Sequence, residues 1–265
     1  MPSNFNAGDA ERYERLMGRW SRRLAVPFLE FAGLEPGERV LEVGCGTGSL
    51  TERLAASPVA AVEALDYAEV FLEAARARIT DPRVRFRQGD ACALPFPDAG
   101  FDRALSLLVL HFVSDARQAM AEMARVVRPG GVVAAAVWDA YGGMPHQRLL
   151  TDLAAMLDPE AAKARDHAVF RPMTRPDELR ATWAAMGLEA EQTLLTIRVE
   201  FADFEDYWGP MASGEGNIGR VVAGFAPELR ERVRKAVHAA YLCGQPDGPR
   251  SFPASAWACR AVRPG

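Results

Sequence analysis

A glycine-rich turn constrains this chain more than any other stretch, and it reads Arg39-Val-Leu-Glu-Val-Gly-Cys-Gly-Thr-Gly-Ser-Leu50. The apolar run before the turn predicts a buried strand, and residues 49–56 have the spacing of a helix after it. Glycines at alternate positions allow positive φ angles and let a ligand approach the backbone without meeting a Cβ atom. The following helix offers free N–H groups at its N-terminus. The stretch therefore predicts a binding turn for a nucleotide-type ligand.

Strand and helix patterns alternate along the chain after this turn, with short connections between them. Such alternation predicts an α/β fold with a mostly parallel sheet, in which ligands lie at the carboxyl ends of the strands. We expect a Rossmann-like sheet of seven strands flanked by helices, with helical lid insertions. Thr174 is expected to cap the helix before the sixth strand. The predicted strands are 40–43, 59–66, 84–90, 101–109, 132–138, 188–201 and 257–262, and the predicted helices after the turn are 49–56, 68–79, 116–127, 148–157 and 174–187.

The expected domain organisation is a single domain of 265 residues in three parts. Residues 1–35 form an N-terminal helical cap, and residues 36–140 form the ligand-binding core. Residues 141–265 complete the sheet and carry a mostly helical insertion at 202–245 on the substrate side. No internal repeat or low-complexity linker separates these parts.

Composition limits the partners and the compartment of this protein. The formal net charge is −4, and no Lys- or Arg-rich run is paired with aromatic residues, so a nucleic-acid partner is not expected. The four cysteines lack the spacing of a metal site, and scattered thiols without a signal-peptide pattern predict a reducing cytoplasm. No apolar run approaches the ~20 residues that a membrane-spanning helix needs. We therefore expect a cytoplasmic protein without a metal, present as a monomer or a homodimer.

The spacing of the glycines distinguishes between classes of nucleotide. A dinucleotide-binding turn has the pattern G-x-G-x-x-G, whereas this chain has Gly44-Cys-Gly-Thr-Gly48, with Ser49 and Thr51 where a third glycine would fall. The mismatch weakens the interpretation of the chain as a nicotinamide-dependent oxidoreductase. Glu42, two residues before the first glycine, favours a ligand with a cationic end over a pyrophosphate. The alternative is that Glu42 bonds only the turn itself.

Several motifs beyond the turn occur in an order typical of one enzyme family. Val40-Leu-Glu-Val-Gly-Cys-Gly-Thr-Gly48 resembles motif I of the class I S-adenosylmethionine-dependent methyltransferases. The resemblance covers about residues 36–140 and points to the small-molecule group, methyltransferase type 11, that includes ubiquinone/menaquinone-type enzymes. It implies an enzyme that transfers a methyl group from S-adenosylmethionine to an oxygen, nitrogen or carbon atom of a small molecule. The further matching blocks are Asp66, Gly89-Asp90, Leu94-Pro95-Phe96, Phe101-Asp102, Leu110-His111-Phe112 and Arg125-Val-Val-Arg-Pro-Gly-Gly131.

The same resemblance implies which residues hold the cofactor. Asp66 would accept hydrogen bonds from both ribose hydroxyl groups, and Tyr67 would lie against the adenine ring. Asp90 and the backbone of Ala91 would contact the edge of the adenine, and the backbone of Leu107 would contact the methionine amino group. The residues implied around the methionine and ribose parts are Glu42, Gly44, Cys45, Gly46 and Gly48.

The leading helical segment resembles elements that cover the cofactor in related enzymes. Tyr13, Arg19 and Trp20 carry this likeness. Arg19 either pairs with the methionine carboxylate of the cofactor or is a solvated helix arginine. Pro27 is expected to break the segment into two short helices or to kink it.

Candidates for acid–base chemistry are few in this chain. Methyl transfer from a sulfonium is an in-line displacement driven mainly by proximity, and a base is needed only when the acceptor must lose a proton. His111, His146 and Asp139 are the candidates, and each also fits a purely structural role. Phe204 and Trp208 in the insertion either line an acceptor pocket or belong to the core. The alternative to an enzyme is a catalytically inactive S-adenosylmethionine-binding protein with a regulatory or assembly role.

Overall fold

A sheet of seven strands runs through the computed structural model, which describes residues 9–214 and 216–265 apart from the side chains of residues 217 and 218. The strands are β1 (Arg39–Val43), β2 (Ala61–Asp66), β3 (Val84–Gln88), β4 (Phe101–Leu107), β5 (Val127–Trp138), β6 (Glu189–Phe201) and β7 (Arg250–Val262). Across the sheet their order is β3-β2-β1-β4-β5-β7-β6. Strands β1 to β5 are parallel, whereas β7 is antiparallel to both β5 and β6. The predicted α/β fold with a mostly parallel, seven-stranded sheet is therefore confirmed.

Helices precede, connect and follow these strands. Before β1 the described chain forms α1 (Ala10–Tyr13), a π-helical turn (Glu14–Gly18) and α2 (Arg19–Ala32). The helical elements that follow are α3 (Thr51–Ala55), α4 (Glu69–Arg78), a 3-10 turn (Leu110–Phe112), α5 (Ala116–Val126), α6 (Pro145–Leu157), α7 (Pro159–Val169), α8 (Glu178–Ala185), α9 (Phe204–Met211), α10 (Gly216–Ala223) and α11 (Pro227–Leu242). None of the helices in the described ranges is long and apolar enough to cross a membrane.

The buried strands contribute to two hydrophobic clusters, one on each face of the sheet. In β5, Ala134 belongs to one cluster and Ala135 to the other, because successive side chains of a strand point to opposite faces. Phe28 of α2 lies in the first cluster and Trp183 of α8 in the second. Helices therefore cover both faces, which explains why β4 and β5 are apolar along most of their length.

The register of the central strands sets the position of the glycine turn. Val43 at the end of β1 lies beside Leu65 of β2, and β4 pairs with the other edge of β1. Because all three strands are parallel, their carboxyl ends meet at one edge of the sheet. That edge holds the glycine turn after β1, Asp66 at the end of β2 and Leu107 at the end of β4.

Pro27 does not divide the leading segment into two helices, which was the first of the two predicted alternatives, because α2 continues through it to Ala32. Leu24 and Phe28, on either side of the proline, are fully buried. Their packing offsets the hydrogen bond that the proline nitrogen cannot donate. The irregular part of the segment lies earlier, at the π-helical turn.

Thr174 is not the cap of α8, which begins only at Glu178. The Thr174 hydroxyl group donates to the carbonyl oxygen of Arg171 at 2.7 Å. Asp177 precedes the helix with a left-handed φ angle of +65°. The predicted cap is therefore wrong, because the threonine side chain is used by the preceding turn.

Strand β7 begins seven residues before the predicted start at Trp257, at Arg250. It pairs with β6 along the full length of both strands. Pro253 lies beyond Ala256, where the pairing with β5 ends, so it removes no hydrogen bond to β5.

The division into a cap, a core and a C-terminal part stays a prediction. Residues 1–8 of the predicted cap and residue 215 of the predicted insertion lie outside the described residues. The rest of the insertion is helical, as α9, α10 and α11.

Candidate functional site

A cavity of about 400 Å³ lies at the carboxyl ends of β1, β2 and β4, which we call the turn cavity. This is the edge at which a parallel sheet binds its ligands, and the volume is typical of small-molecule sites, ~300–1,000 Å³. The predicted cofactor-binding residues that line it are Glu42, Gly44, Cys45, Gly46, Asp66, Tyr67, Asp90, Ala91 and Leu107. The fold therefore brings together nine residues that are spread over four strand ends, those of β1, β2, β3 and β4.

Asp66 ties the glycine turn to the end of β2. Its Oδ2 atom accepts the N–H of Gly46 at 2.7 Å, and its Oδ1 atom accepts the N–H of Ala68 at 2.8 Å. Burial raises the pKa of Asp66, and these backbone N–H groups oppose the rise. Each carboxylate oxygen has a second lone pair, so Asp66 can accept two further hydrogen bonds from a ligand in the cavity.

The three glycines of the turn have different roles, although all have positive φ angles. A Cβ atom on Gly44 would lie 2.3 Å from Cγ2 of Val109, whereas one on Gly46 would meet no protein atom. A Cβ atom on Gly48 would lie 2.7 Å from Cδ1 of Ile79. Gly48 does not line the turn cavity, contrary to the prediction, because it packs against the end of α4.

Glu42 lies beneath the turn with only 1% of its surface exposed, and its carboxyl group accepts the Thr51 hydroxyl hydrogen at 2.6 Å. It therefore bonds the helix after the turn and also lines the cavity. Burial raises the pKa of Glu42 to about 8, and the charge of Asp66 contributes in the same direction. Among the described residues no Lys or Arg pairs with it. A cationic group of a ligand would supply the partner that its charged form lacks.

The rim of the turn cavity next to β2 and β3 is formed by Tyr67, Asp90 and Ala91. Tyr67 is 53% exposed, and its carbonyl oxygen accepts the side-chain amide of Gln88 at 3.0 Å. Asp90 accepts the N–H of Cys92 at 2.8 Å. An exposed aromatic ring beside a carboxylate can hold a planar heterocycle by stacking and by hydrogen bonds to its edge.

The wall after β4 contains residues that the sequence did not single out. Leu108 has a φ angle of +64°, and its N–H donates to the carbonyl oxygen of Ala136 at 2.8 Å. No sequence pattern predicts a leucine with a left-handed backbone conformation. Phe112 could have been predicted as a lining residue, because it belongs to the Leu110-His111-Phe112 block of the family resemblance. Other residues that line the cavity and were not predicted as site residues are Val109 and Val113 after β4, Thr47, Ser49 and Leu50 in the glycine turn, and Val70 and Phe71 on α4.

The leading helices cover the turn cavity. Tyr13 and Ser21 line it, and the ring of Tyr13 lies 4.9 Å from the ring of Phe71 on α4. In the π-helical turn, Glu14 accepts hydrogen bonds from the Thr47 hydroxyl group and from Arg22. The segment therefore contacts both the glycine turn and α4.

Arg19 and Trp20 do not reach the turn cavity, contrary to the prediction. The Arg19 guanidinium pairs with Asp206 of α9, with an N–O distance of 2.9 Å. Trp20 is buried, with its ring 5.6 Å from the ring of Phe201. On a helix, residues one or two positions before Ser21 point away from the face that Ser21 occupies, so they contact the sheet and the insertion instead.

Comparisons with known proteins agree with this geometry. Residues 41–135 match the family described as a methyltransferase domain. The chain is 34% identical over 252 residues to malonyl-[acyl-carrier protein] O-methyltransferase of Serratia marcescens, covering 92% of this chain and 91% of that protein. The chain belongs to the S-adenosylmethionine-dependent methyltransferases.

Two further similarities show how far the likeness extends. Demethylmenaquinone methyltransferase of Renibacterium salmoninarum is 41% identical over 134 residues, which are 51% of this methyltransferase and 54% of that protein. The crystal structure of the YcgJ protein from Bacillus subtilis shares the fold, with a TM-score of 0.61 and 21% identity over 92% of this chain and 99% of that chain. S-adenosylmethionine is the cofactor of this methyltransferase.

The donor set of the turn cavity fits this cofactor. Asp66 has lone pairs for two hydroxyl groups, Glu42 lacks a cation, and Tyr67 offers an exposed ring. Within the described ranges no group of three or more His, Cys, Asp or Glu side chains is placed to hold a metal ion.

A second space lies beyond Phe112 in the methyltransferase, between α6, α7, α10 and the 3-10 turn, and we call it the helical chamber. Its volume is about 560 Å³. A space of about 110 Å³, the junction, lies between the helical chamber and the turn cavity. The junction shares Tyr13, Ser21, Leu108 and Phe112 with the turn cavity. It shares His111, Ala168 and Arg171 with the helical chamber.

His111 is the predicted catalytic candidate that lies at these spaces, where the junction meets the helical chamber. It is buried, and its Nδ1 atom has no hydrogen-bond partner in the described part of the chain. Burial lowers the pKa of His111 to about 3, and the charge of Arg171 contributes in the same direction. The imidazole is therefore neutral at pH 7.

His146 and Asp139, for which a structural role was the alternative to a catalytic one, line none of the three spaces. His146 is buried at the start of α6, with its ring 5.9 Å from that of Phe201. Asp139 accepts the N–H of Gly142 at 3.1 Å and so closes the turn after β5.

Phe204 and Trp208 belong to the core, which is the second of their two predicted roles. They are buried, and their rings are stacked with centroids 6.0 Å apart. Phe204 also lies 5.6 Å from the ring of Tyr241 on α11. These contacts hold α9 and α11 together, and neither residue lines the turn cavity, the junction or the helical chamber.

Proposed function

We propose that the methyltransferase moves a methyl group from S-adenosylmethionine in the turn cavity to an oxygen, nitrogen or carbon atom of a small molecule held in the junction and the helical chamber. The observation that carries this proposal is that the turn cavity and the junction share the lining residues Tyr13, Leu108 and Phe112, so the two spaces adjoin. A donor in one space and an acceptor in the other are close neighbours.

Asp66, Tyr67, Asp90 and Ala91 bind the adenosine part of the cofactor in this proposal. Asp66 accepts hydrogen bonds from both ribose hydroxyl groups through its two remaining lone pairs. Tyr67 lies against the adenine, and Asp90 and the Ala91 backbone contact its edge. The support for these roles is that all four residues line one cavity at adjacent strand ends.

Glu42 and Leu107 bind the methionine end of the cofactor. Both line the turn cavity, and Glu42 is a buried carboxyl group whose pKa is about 8 without a cation beside it. A bound ammonium group favours the ionised carboxylate and so lowers this pKa. Gly44, Cys45 and Gly46 form the floor between this end and the ribose.

Bound S-adenosylmethionine would supply an electrophilic methyl group on a sulfonium, whose leaving group is the neutral thioether of S-adenosylhomocysteine. The chain contributes proximity, since Tyr13, Leu108 and Phe112 border both spaces and would bring the two reactants together away from bulk water. His111 orients the acceptor as a neutral hydrogen-bond partner. Its pKa of about 3 makes it a weak base, so deprotonation is not its role.

Oxygen is the acceptor atom that we favour. The Serratia marcescens relative, which matches along nearly all of its length, is named an O-methyltransferase. An oxygen nucleophile that is already ionised needs no general base, which agrees with the weak basicity of His111.

The experiment incubates the purified protein with S-adenosylmethionine tritiated in its methyl group and with a fractionated metabolite extract. Label in an extract component, absent with heat-denatured protein and reduced in Asp66→Ala, supports the proposal. Glu52→Gln, on the exposed face of α3, is the matched control and is expected to retain activity. Tight cofactor binding without label in any fraction favours the inactive binding protein instead.

A further inference from the structure

We propose that the helical chamber binds an anionic group of the acceptor, so that the acceptors of this methyltransferase are small organic acids with an apolar body. This inference rests on the proposed function, because it names the substrate class of the same site. Three arginines, Arg165, Arg171 and Arg220, line the chamber, and none of its described lining residues is Asp or Glu. The charge of the wall is therefore of one sign, which favours an anion.

Arg171 lies where the junction opens into the helical chamber and is partly buried. In the described part of the chain no carboxylate pairs with its guanidinium group, whose central carbon lies 4.8 Å from the ring centroid of Phe112. A guanidinium charge that is partly removed from water without a counter-ion is costly, and an aromatic face compensates for it only in part. An anion from outside the chain would supply the missing partner.

Arg220 and Arg165 have different relations to Arg171. Burial lowers the pKa of Arg171 to about 10, and the positive charge of Arg220 contributes in the same direction. The two guanidinium groups are therefore close enough to repel each other. A bound anion between them would turn this repulsion into attraction. Arg165 already pairs with Asp166 at 2.7 Å and with Asp152 at 3.5 Å. Its charge is compensated within the chain, so it offers a control on the same wall.

His111 adds an observation that is independent of the arginines. Its Nδ1 atom is buried at the same opening without a hydrogen-bond partner among the described residues. An unsatisfied buried nitrogen calls for a partner, and in the tautomer that carries the proton on Nδ1 this nitrogen would donate a hydrogen bond to an anionic oxygen of the ligand.

The rest of the helical chamber indicates the body of the acceptor. Its apolar wall comes mainly from α6, α7 and the insertion, with Leu150, Ala154, Ala161, Ala164, Val221 and Phe225. Phe112, which Arg171 contacts, also lines the turn cavity, so an anion at Arg171 lies at the end of the chamber that is nearest to the cofactor. The reacting atom is therefore part of the anionic group or a close neighbour of it.

Matched pairs of acids and amides test this assignment. The probes are benzoate and benzamide, phenylacetate and phenylacetamide, and octanoate and octanamide, titrated by calorimetry into the protein saturated with S-adenosylhomocysteine. We expect at least one acid to bind about tenfold or more tightly than its amide, because a charge-assisted bidentate contact is lost in the amide. Arg171→Gln should remove this preference, Arg171→Lys should keep part of it, and Arg165→Gln should leave it unchanged.

Equal binding of every acid and its amide, binding of none of the acids, or an undiminished preference in Arg171→Gln would each overturn the inference. If Arg171→Gln does not melt cooperatively, Arg220→Gln replaces it in the test, and the preference for the acid over its amide is expected to fall in that variant. S-adenosylhomocysteine binding is measured separately in each variant. A wild-type protein that does not bind it overturns the proposed function, and a labelled product formed from an acceptor that carries no anionic group before methylation overturns the anion site alone.

Discussion

The hydroxyl group of Thr47 in the glycine turn donates a hydrogen bond to the carboxylate of Glu14 in the π-helical turn. Arg22 donates to the same carboxylate, and Arg78 of α4 lies 3.4 Å from it. Arg78 also donates to the carbonyl oxygen of Thr47 at 2.7 Å. One carboxylate thus joins the helices that cover the turn cavity to the turn and to α4, so the cover cannot move away without breaking the contacts of Glu14 with Thr47 and Arg78.

Glu14→Gln is expected to weaken cofactor binding by roughly 3- to 10-fold, since a neutral amide loses two partly buried ion pairs worth about 1 kcal/mol. Calorimetric titration with S-adenosylmethionine measures this effect. Glu11→Gln, one turn earlier, removes a carboxylate that is 82% exposed and 3.9 Å from Arg15, and it should leave the Kd unchanged. Equal Kd values for Glu14→Gln and the wild type would contradict the inference that Glu14 holds the covering helices over the cofactor.

Gly46→Ala is expected to affect cofactor binding more than stability, and Gly48→Ala is expected to affect stability more than cofactor binding. Both substitutions place an L-residue at a positive φ angle, which costs about 1–2 kcal/mol. Gly48→Ala adds a clash with Ile79 and should lower the Tm more. Gly46→Ala places a methyl group where no protein atom lies, on the wall of the turn cavity, and should raise the Kd for the cofactor more. Thermal melts and titrations at 10–15 °C below the lower Tm compare them, and a larger Kd for Gly48→Ala would contradict these roles.

The residues that sequence reasoning brought together lie at the ends of parallel strands. Asp66 and Asp90 could be assigned to one cavity because parallel strands place their carboxyl ends at one edge, whatever the helices do. Tyr13 was predicted from its likeness to elements that cover the cofactor, and it lines the cavity. Helical periodicity places Arg19, six residues later, on a different face, which could have excluded it from the cavity.

The acceptor side could not be predicted in the same way, because it depends on how the helical insertions pack. Arg171 follows α7 in a segment without periodicity, and it reaches the junction only because α6 and α7 fold over the 3-10 turn. Phe204 and His146 are aromatic residues near the substrate side in sequence, yet their rings are buried in the core. Aromatic composition does not distinguish a pocket wall from a core.

Replacement of Asp66 is expected to weaken cofactor binding, and two variants distinguish the loss of the ribose contact from the loss of the hydrogen bonds to the protein backbone. Asp66→Ala loses two charge-assisted ligand bonds, so the Kd for S-adenosylmethionine should rise by about 10- to 100-fold. Asp66→Asn keeps one acceptor oxygen for Gly46 or Ala68 and should show a smaller rise. Glu52→Gln is the control for the loss of a carboxylate nearby. Unchanged affinity in a folded Asp66→Ala protein would remove the ribose assignment.

Glu42 is expected to make the stability of the cofactor-free protein fall as the pH rises. Its pKa is about 8 in the folded protein and near the ordinary 4.5 in the unfolded chain. Between these values the folded state holds a proton that the unfolded state has lost, so the free energy of unfolding decreases by at most about 1.4 kcal/mol per pH unit. Glu42→Gln stays neutral and should lack this slope. Urea unfolding between about pH 5 and 8 measures it, with Glu52→Gln as the control; a constant difference between the wild type and Glu42→Gln across this range would contradict the raised pKa.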